Sequence, residues 1–238
     1  MRIAKLVLAA VCVAALLAAS NAWAAVVINP VNAVASSEYG VGTGDYRSAL
    51  KTIDGSGLNG PIPADDSAGL PTAHTWPPGE SWVDAPVSAG GNGDGSAWIY
   101  YDLGSQKEVG ALAVWNANDS ISSIPIDQTY AGAKDVDVLY SNDAVNWTAA
   151  DSFVFTRATP FVDNPAEILQ LSSAVTAQYM KLDIHSCYEV VDPAYGTVGL
   201  KHVAFLDGSA AAVPEPGTLV LLACGLLGLL AYAWRKRK

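Results

Sequence analysis

Two stretches of the chain carry side chains whose types and spacing could do chemistry. His74, Trp76 and Trp82 lie close together in a segment broken by Pro77 and Pro78. Indole faces beside a few polar groups are what stack on a sugar ring and hydrogen-bond its hydroxyls. Tyr130 and Tyr188 are candidates to join them from neighbouring loops. Asn116 follows Trp115 at a strand end, and is equally suited to bracing its loop or facing a ligand. A Trp bracketed by prolines also folds back as a lid over a core, so that reading stands beside the first. The second stretch is Ile53-Asp54-Gly55, where Asp accepts hydrogen bonds from its own turn and Gly takes positive φ.

Other chemistries find no support. The three histidines, His74, His185 and His202, are scattered, and no zinc set can be assembled from them. Cys187 is the lone thiol between residues 25 and 212, so it forms no internal disulfide there and reads as a buried thiol or an intermolecular link. Carboxylates are abundant enough for a glycosidase pair, but abundance is not geometry. The chain has neither a Gly-x-Ser-x-Gly elbow nor a His-Glu-x-x-His motif, and the reading is of a protein that is not an enzyme.

The elements that would position these residues are strands. Apolar or alternating runs fall at 26–28, 98–103, 111–115, 136–141, 152–156, 168–171, 179–184 and 203–206. Between them lie Gly-, Pro-, Asn- and Asp-rich loops, notably 54–95 and 116–132. Short strands with polar turns point to an all-β, antiparallel jelly-roll sandwich spanning 25–208. Trp98 and Trp147 are expected in its core. The sequons at Asn118 and Asn146 are taken as chance.

Both ends of the chain read as addresses. Arg2 and Lys5, an apolar run to Ala19 and Ala22-Trp23-Ala24 make a signal peptide over 1–24, an uncleaved anchor being the alternative. After a linker at 209–212 come Val213-Pro214-Glu215-Pro216, an uncharged run over 218–234 and four terminal bases. That run is at the short end of what spans a bilayer, its Tyr232 and Trp234 suit the interface, and the bases should stay cytoplasmic. A buried core helix is the alternative. Of 13 Lys and Arg, six lie in these end segments, leaving seven; of 23 Asp and Glu only Glu215 does, leaving 22. An exported part of about −15 argues against nucleic acid and against anionic polysaccharide as electrostatic partners. Most of these acids are expected to do no more than solvate loops.

The order of Pro-Glu-Pro, apolar helix and basic cluster over 213–238 resembles the PEP-CTERM protein-sorting signal. That resemblance implies Gram-negative export, recognition of Pro214, Glu215 and Pro216 by an exosortase, and an inner-membrane intermediate anchored by the helix with a periplasmic domain. The destination would be the cell surface or extracellular matrix. A second resemblance runs through 33–208. Ala35-Ser36-Ser37, Ile53-Asp54-Gly55, Trp98-Ile99-Tyr100-Tyr101-Asp102-Leu103-Gly104, Val114-Trp115-Asn116, Lys134-Asp135-Val136, Tyr140-Ser141-Asn142-Asp143 with Trp147-Thr148, and Gly199-Leu200 are similar to the discoidin, or coagulation-factor type C, domains of the galactose-binding-like fold. Such domains bind sugars, phospholipid head groups or proteins through loops at one end. The resemblance implies a structural Ca²⁺ near Asp54, but His202 stands where the family has a glutamate ligand, and imidazole is a poor donor for a hard cation. The expected function is non-catalytic binding of a glycan or exopolysaccharide, with a structural or protein-binding surface component as the alternative.

Overall fold

The computed structural model describes residues 25–42, 47–64, 67–74, 81–85, 87–119, 127–190 and 198–208. Ala24–Ala210 forms a compact unit of its own. Pro214, Glu215, Pro216, the expected signal peptide and the expected membrane helix lie outside the described residues. Among the described residues no helix is long and apolar enough to cross a membrane.

The unit is built from antiparallel strands: β1 (Val27–Ile28), β2 (Asn32–Ala35), β3 (Trp82–Val83), β4 (Ala97–Asn116), β5 (Asp135–Ser141), β6 (Thr148–Val154), β7 (Glu167–Ile184) and β8 (Gly199–Asp207). Two of them are far longer than the sequence suggests. The runs expected at 98–103 and 111–115 are one strand, β4, and those at 168–171 and 179–184 are one strand, β7. Polar or small exposed residues at 104–108 and 172–174 hide the continuity, because there the paired strands turn a corner, bending from one layer of a continuous eight-stranded sheet to the other. Register shifts between Asp102 and Lys107 and between Val109 and Ala111 mark that corner. Gly104, at φ 78°, takes a backbone conformation that a side chain would resist.

Each half of β4 therefore belongs to a different layer. Its first half lies between β2 and the end of β7, with β5 and β6 beyond. Its second half lies between β8 and the start of β7, with β1 and β3 beyond β8. Ile99, Tyr101, Leu112, Val114, Met180, Leu182 and Phe205 fill the space between the layers. The second layer is covered on its other face too. Ala111, Ala113, Trp115, Ala204 and Leu206 pack there under Leu58, Ala73 and Val27. This is why β8 is buried along almost its whole length and its residues 203–206 are apolar without alternation.

The register fixes two poles. Asn116, Ile184, Asp135 and Gly199 end or begin their strands at one, and the long loops gather around them. The corner residues and the β5–β6 hairpin form the other. Val26 and Asp207 meet at that second pole, where the Val26 N–H donates to Asp207 Oδ1 at 3.2 Å and the Asp207 N–H to Val26 O at 3.0 Å. The chain thus enters and leaves the sandwich side by side, away from the loops.

Trp98 and Trp147 are not in the core. In Trp98-Ile99-Tyr100-Tyr101 the inward positions are Ile99 and Tyr101, which leaves Trp98 and Tyr100 half-buried on the outer face. Asn118 is fully buried, its Nδ2 donating to Ala73 O and Val162 O, so its sequon has no accessible amide.

Candidate functional site at the loop pole

The candidate residues from the sequence divide between the core and the surface. Trp82 is fully buried and its Nε1 donates to Ser37 O at 3.0 Å, so neither ring face is left for a ligand. The cause is β3, a two-residue strand inside the long first loop that pairs Trp82 with Leu200. His74 is half-buried, with Nε2 at 3.2 Å from Ser56 O and its N–H donating to Gly57 O. Trp76 lies outside the described residues.

Asn116, Tyr130 and Tyr188 are brought together around the segment that follows β6. Asn116 is buried and braces the pole: Nδ2 donates to Ala133 O at 2.8 Å and Thr156 O at 3.0 Å, while Oδ1 accepts from the Ala117 N–H. Tyr188 donates its hydroxyl to Phe155 O. The N–H groups of Tyr188 and Glu189 both reach Tyr130 O at 3.1 Å. Burial pushes the Tyr188 phenol above its ordinary pKa, so it stays a neutral donor.

Beside them is a groove of about 290 Å³ lined by Asn116, Thr156, Arg157, Thr159, Asn164 and Glu167 among others. Its polar groups are held in place before any ligand arrives. Arg157 Nε donates to Thr129 Oγ1 and its Nη2 to Asp127 Oδ2, each at 2.9 Å. Asp127 Oδ1 in turn accepts from the Thr129 N–H and hydroxyl. Glu167 takes the Thr156 N–H at 2.8 Å and its hydroxyl at 2.7 Å. Asn164 closes the next turn, accepting from the Thr159 N–H and donating to Thr159 O and Val162 O. In that turn Phe161 has φ 63° and is 40% exposed. A bulky non-glycine residue at positive φ is strained, and such strain collects at binding sites. The groove thus presents a fixed guanidinium and the Glu167 carboxylate, with the open Phe161 ring in the adjoining turn, groups suited to hydroxyls and to the C–H face of a pyranose.

Arg157, Asp127, Glu167, Asn164 and Phe161 carry no motif that marks them in the sequence. One signal was available: Arg157 is one of only seven bases left outside the end segments. Its partners in 127–129 become neighbours only when β5 and β6 have folded between them.

A second charged group at the same pole is buried. Lys201 is fully enclosed and its Nζ lies 2.8 Å from Asp119 Oδ1. Arg47 Nη1 lies 2.7 Å from Asp119 Oδ2, which also accepts the Ser81 hydroxyl. Asp119 therefore ties the loops at 47, 81 and 119 to β8, and is not one of the acids that merely solvate a loop.

At the Asp54 turn the carboxylate has protein partners on both oxygens. Its Oδ1 accepts from the Ser56 N–H at 2.8 Å, and Lys51 Nζ stands 3.5 Å from Oδ2. His202 is buried, packed edge-on against Trp115 with centroids 5.3 Å apart, and its Nδ1 has no partner. Burial lowers its pKa to about 4, with Asp54 opposing, so a neutral nitrogen occupies the place of an expected carboxylate. Among the described residues no three His, Cys, Asp or Glu side chains gather as metal ligands. Cys187 is buried and unpaired.

Comparisons with known proteins agree with this geometry at the level of fold. Residues 84–182 match the model of a NedA-like, galactose-binding domain, and residues 212–238 match the PEP-CTERM protein-sorting motif. No curated protein matches the chain. The Clostridium perfringens module CpGH89CBM32-5, solved in complex with GalNAc-β-1,3-galactose, is similar at 13% identity. That match covers 75% of this chain and 98% of the module, with a TM-score of 0.50, which shows the fold. A chitosan-binding module from a Paenibacillus sp. IK-5 chitosanase/glucanase is 20% identical over 75% of this chain and 95% of its own, at TM-score 0.43. The family 32 carbohydrate-binding module of C. perfringens NanJ, solved with galactose, is 13% identical over 76% and 98%, at TM-score 0.45.

Proposed function

We propose, for a galactose-binding-like domain followed by a sorting motif, that this protein is exported and binds carbohydrate without catalysis at the groove of the loop pole. An exosortase-type system would deliver it to the cell surface or matrix through Pro214, Glu215 and Pro216, with the apolar run at 218–234 as its membrane-held intermediate. The observation that carries the binding reading is the groove itself. Arg157 is held by Thr129 and Asp127 but keeps donors free in its five-donor fork, and Phe161 stands strained and exposed in the adjoining turn. Galactose-type sugars are the first class to test, given the family model over 84–182.

A glycan array probed with the full chain in detergent micelles tests the proposal. Binding to one class of neutral sugar, lost in Arg157→Ala and in Phe161→Ala, is the expected result. A folded protein that binds no glycan would leave a structural or protein-binding role in its place. Deleting 213–238 tests the sorting half separately: a truncated protein that still reaches and stays at the surface would sink it.

A further inference from the structure

The outer face of the first layer carries an aromatic strip that lies outside both core clusters and outside the loop-pole groove. Trp98 and Tyr100 project from β4, Tyr179 from β7, and Trp147 folds over from the β5–β6 hairpin. The Trp98 and Tyr100 rings lie 5.9 Å apart and nearly parallel at 14°. Tyr100 is 5.7 Å from Trp147 and 6.3 Å from Tyr179. All four are half-buried, so part of each remains open to solvent. Trp98 sits at the loop-pole end of the strip, beside Ser36, whose hydroxyl accepts the Trp98 N–H. Tyr179 and Trp147 sit at the other end.

We infer that this strip is a second carbohydrate-binding surface, and that its occupant is an uncharged polysaccharide chain running lengthwise along it. The inference deepens the carbohydrate reading and rests on it. Charge selects the occupant. Lys181 is the strip's cation, its Nζ 5.4 Å from the Trp98 centroid and 6.0 Å from that of Trp147. Asp183 lies 3.6 Å from that ammonium and balances it. The rest of the face is acidic: Asp137 stands directly across from Asp183, with His185 2.9 Å away, and Asp102 follows Tyr100 on the same side. A polyanion would meet these carboxylates and an acidic domain. An uncharged chain meets ring faces that attract its C–H groups and, at the Tyr179 end, the Gln178 amide, which donates to Asp102 Oδ1 and the Tyr179 hydroxyl at 3.2 Å each. Several rings in line suit successive residues of a chain, whereas a terminal sugar fills only the groove.

Affinity electrophoresis of the full chain in detergent, in gels cast with soluble galactan or glucan, reads chain binding directly; alginate serves as the acidic control. Retardation by a neutral chain and none by alginate is expected, with Trp147→Ala reducing the affinity about tenfold. Calorimetry with galactose reads the groove separately. Trp147→Ala should leave that heat unchanged and Arg157→Ala should abolish it. Tyr179→Ser is the second variant, should Trp147→Ala fail to fold. Folded Trp147→Ala and Tyr179→Ser proteins retarded like the parent would overturn the strip while leaving the groove standing. So would stronger retardation in alginate, or aromatic-dependent self-association without glycan. Chain binding lost with the strip but galactose heat absent throughout would sink the groove and keep the strip.

Discussion

Two Arg–Asp pairs stand at the same pole with nearly the same geometry and opposite surroundings. Arg47 and Asp119 approach to 2.7 Å with side chains 12% and 4% exposed; Arg157 and Asp127 approach to 2.9 Å with side chains 39% and 32% exposed. The first pair is locked further by the enclosed Lys201 and by Ser81, so every polar direction around Asp119 is spent inside the protein. The second keeps an open side toward the groove. Distance does not separate an enclosed pair from an open one. Solvent does, because removing water turns each lost partner into an uncompensated charge, whereas an exposed pair is screened and readily exchanges a protein partner for a ligand.

The largest test of this contrast is Asp119→Ala. It strands Lys201 and should destabilise the unit by about 3–5 kcal/mol in urea unfolding. A loss below about 1 kcal/mol would show that the buried pair is no different from the exposed one.

Next comes another buried ionisable group, His202. Its pKa is about 4 in the folded state against 6.5 ordinarily, so the unfolded chain takes up a proton first as pH falls. Stability from this residue is fully present above pH 6.5, falls as pH drops through the window, and is gone below about 4; the loss is on the order of 3 kcal/mol. Urea midpoints measured between pH 7.5 and 4 should show it, and His202→Gln should flatten the slope. An unchanged slope would mean that His202 does not titrate there.

On the exposed side the effects move from stability to affinity. Arg157→Ala should change stability by no more than about 1 kcal/mol while weakening sugar binding by about tenfold or more. Phe161→Gly relieves a positive φ but frees the unfolded chain, so stability should shift by under about 1 kcal/mol while binding falls. Equal losses of stability and affinity in either variant would erase the distinction between the two regions. The smallest expected effect is that of calcium: neither Ca²⁺ nor a chelator should move the melting temperature, since Lys51 and the Ser56 N–H already occupy Asp54. A rise of several degrees with Ca²⁺ would contradict that assignment.

The same contrast explains what the sequence could and could not disclose. The antiparallel sandwich was legible because runs such as Val136 and Val138 alternate with Asp135 and Asp137, and the two faces differ in chemistry. Trp98-Ile99-Tyr100-Tyr101 was ambiguous because both phases of its alternation are apolar, and only packing chose Ile99 and Tyr101 for the core. Trp82 looked like a loop aromatic because the strand that buries it is two residues long. Asp119 and Lys201 are 82 positions apart, and nothing local marks either as half of a buried pair. Both roles open to Asn116 depend on contacts distant in sequence: it hydrogen-bonds Ala133 O and Thr156 O, and it lines the groove.

The meeting of Val26 with Asp207 has a mechanical meaning. A domain gripped at its loops and held through the chain beyond Gly208 would carry tension from one pole to the other. That tension would run along β8, which hydrogen-bonds β4 on one side and β1 and β3 on the other. Strands pulled along their length must break their ladder bonds together, whereas strands peeled from an end lose them one at a time. Such a sandwich would act as a strong link in series between a surface and whatever its loops hold.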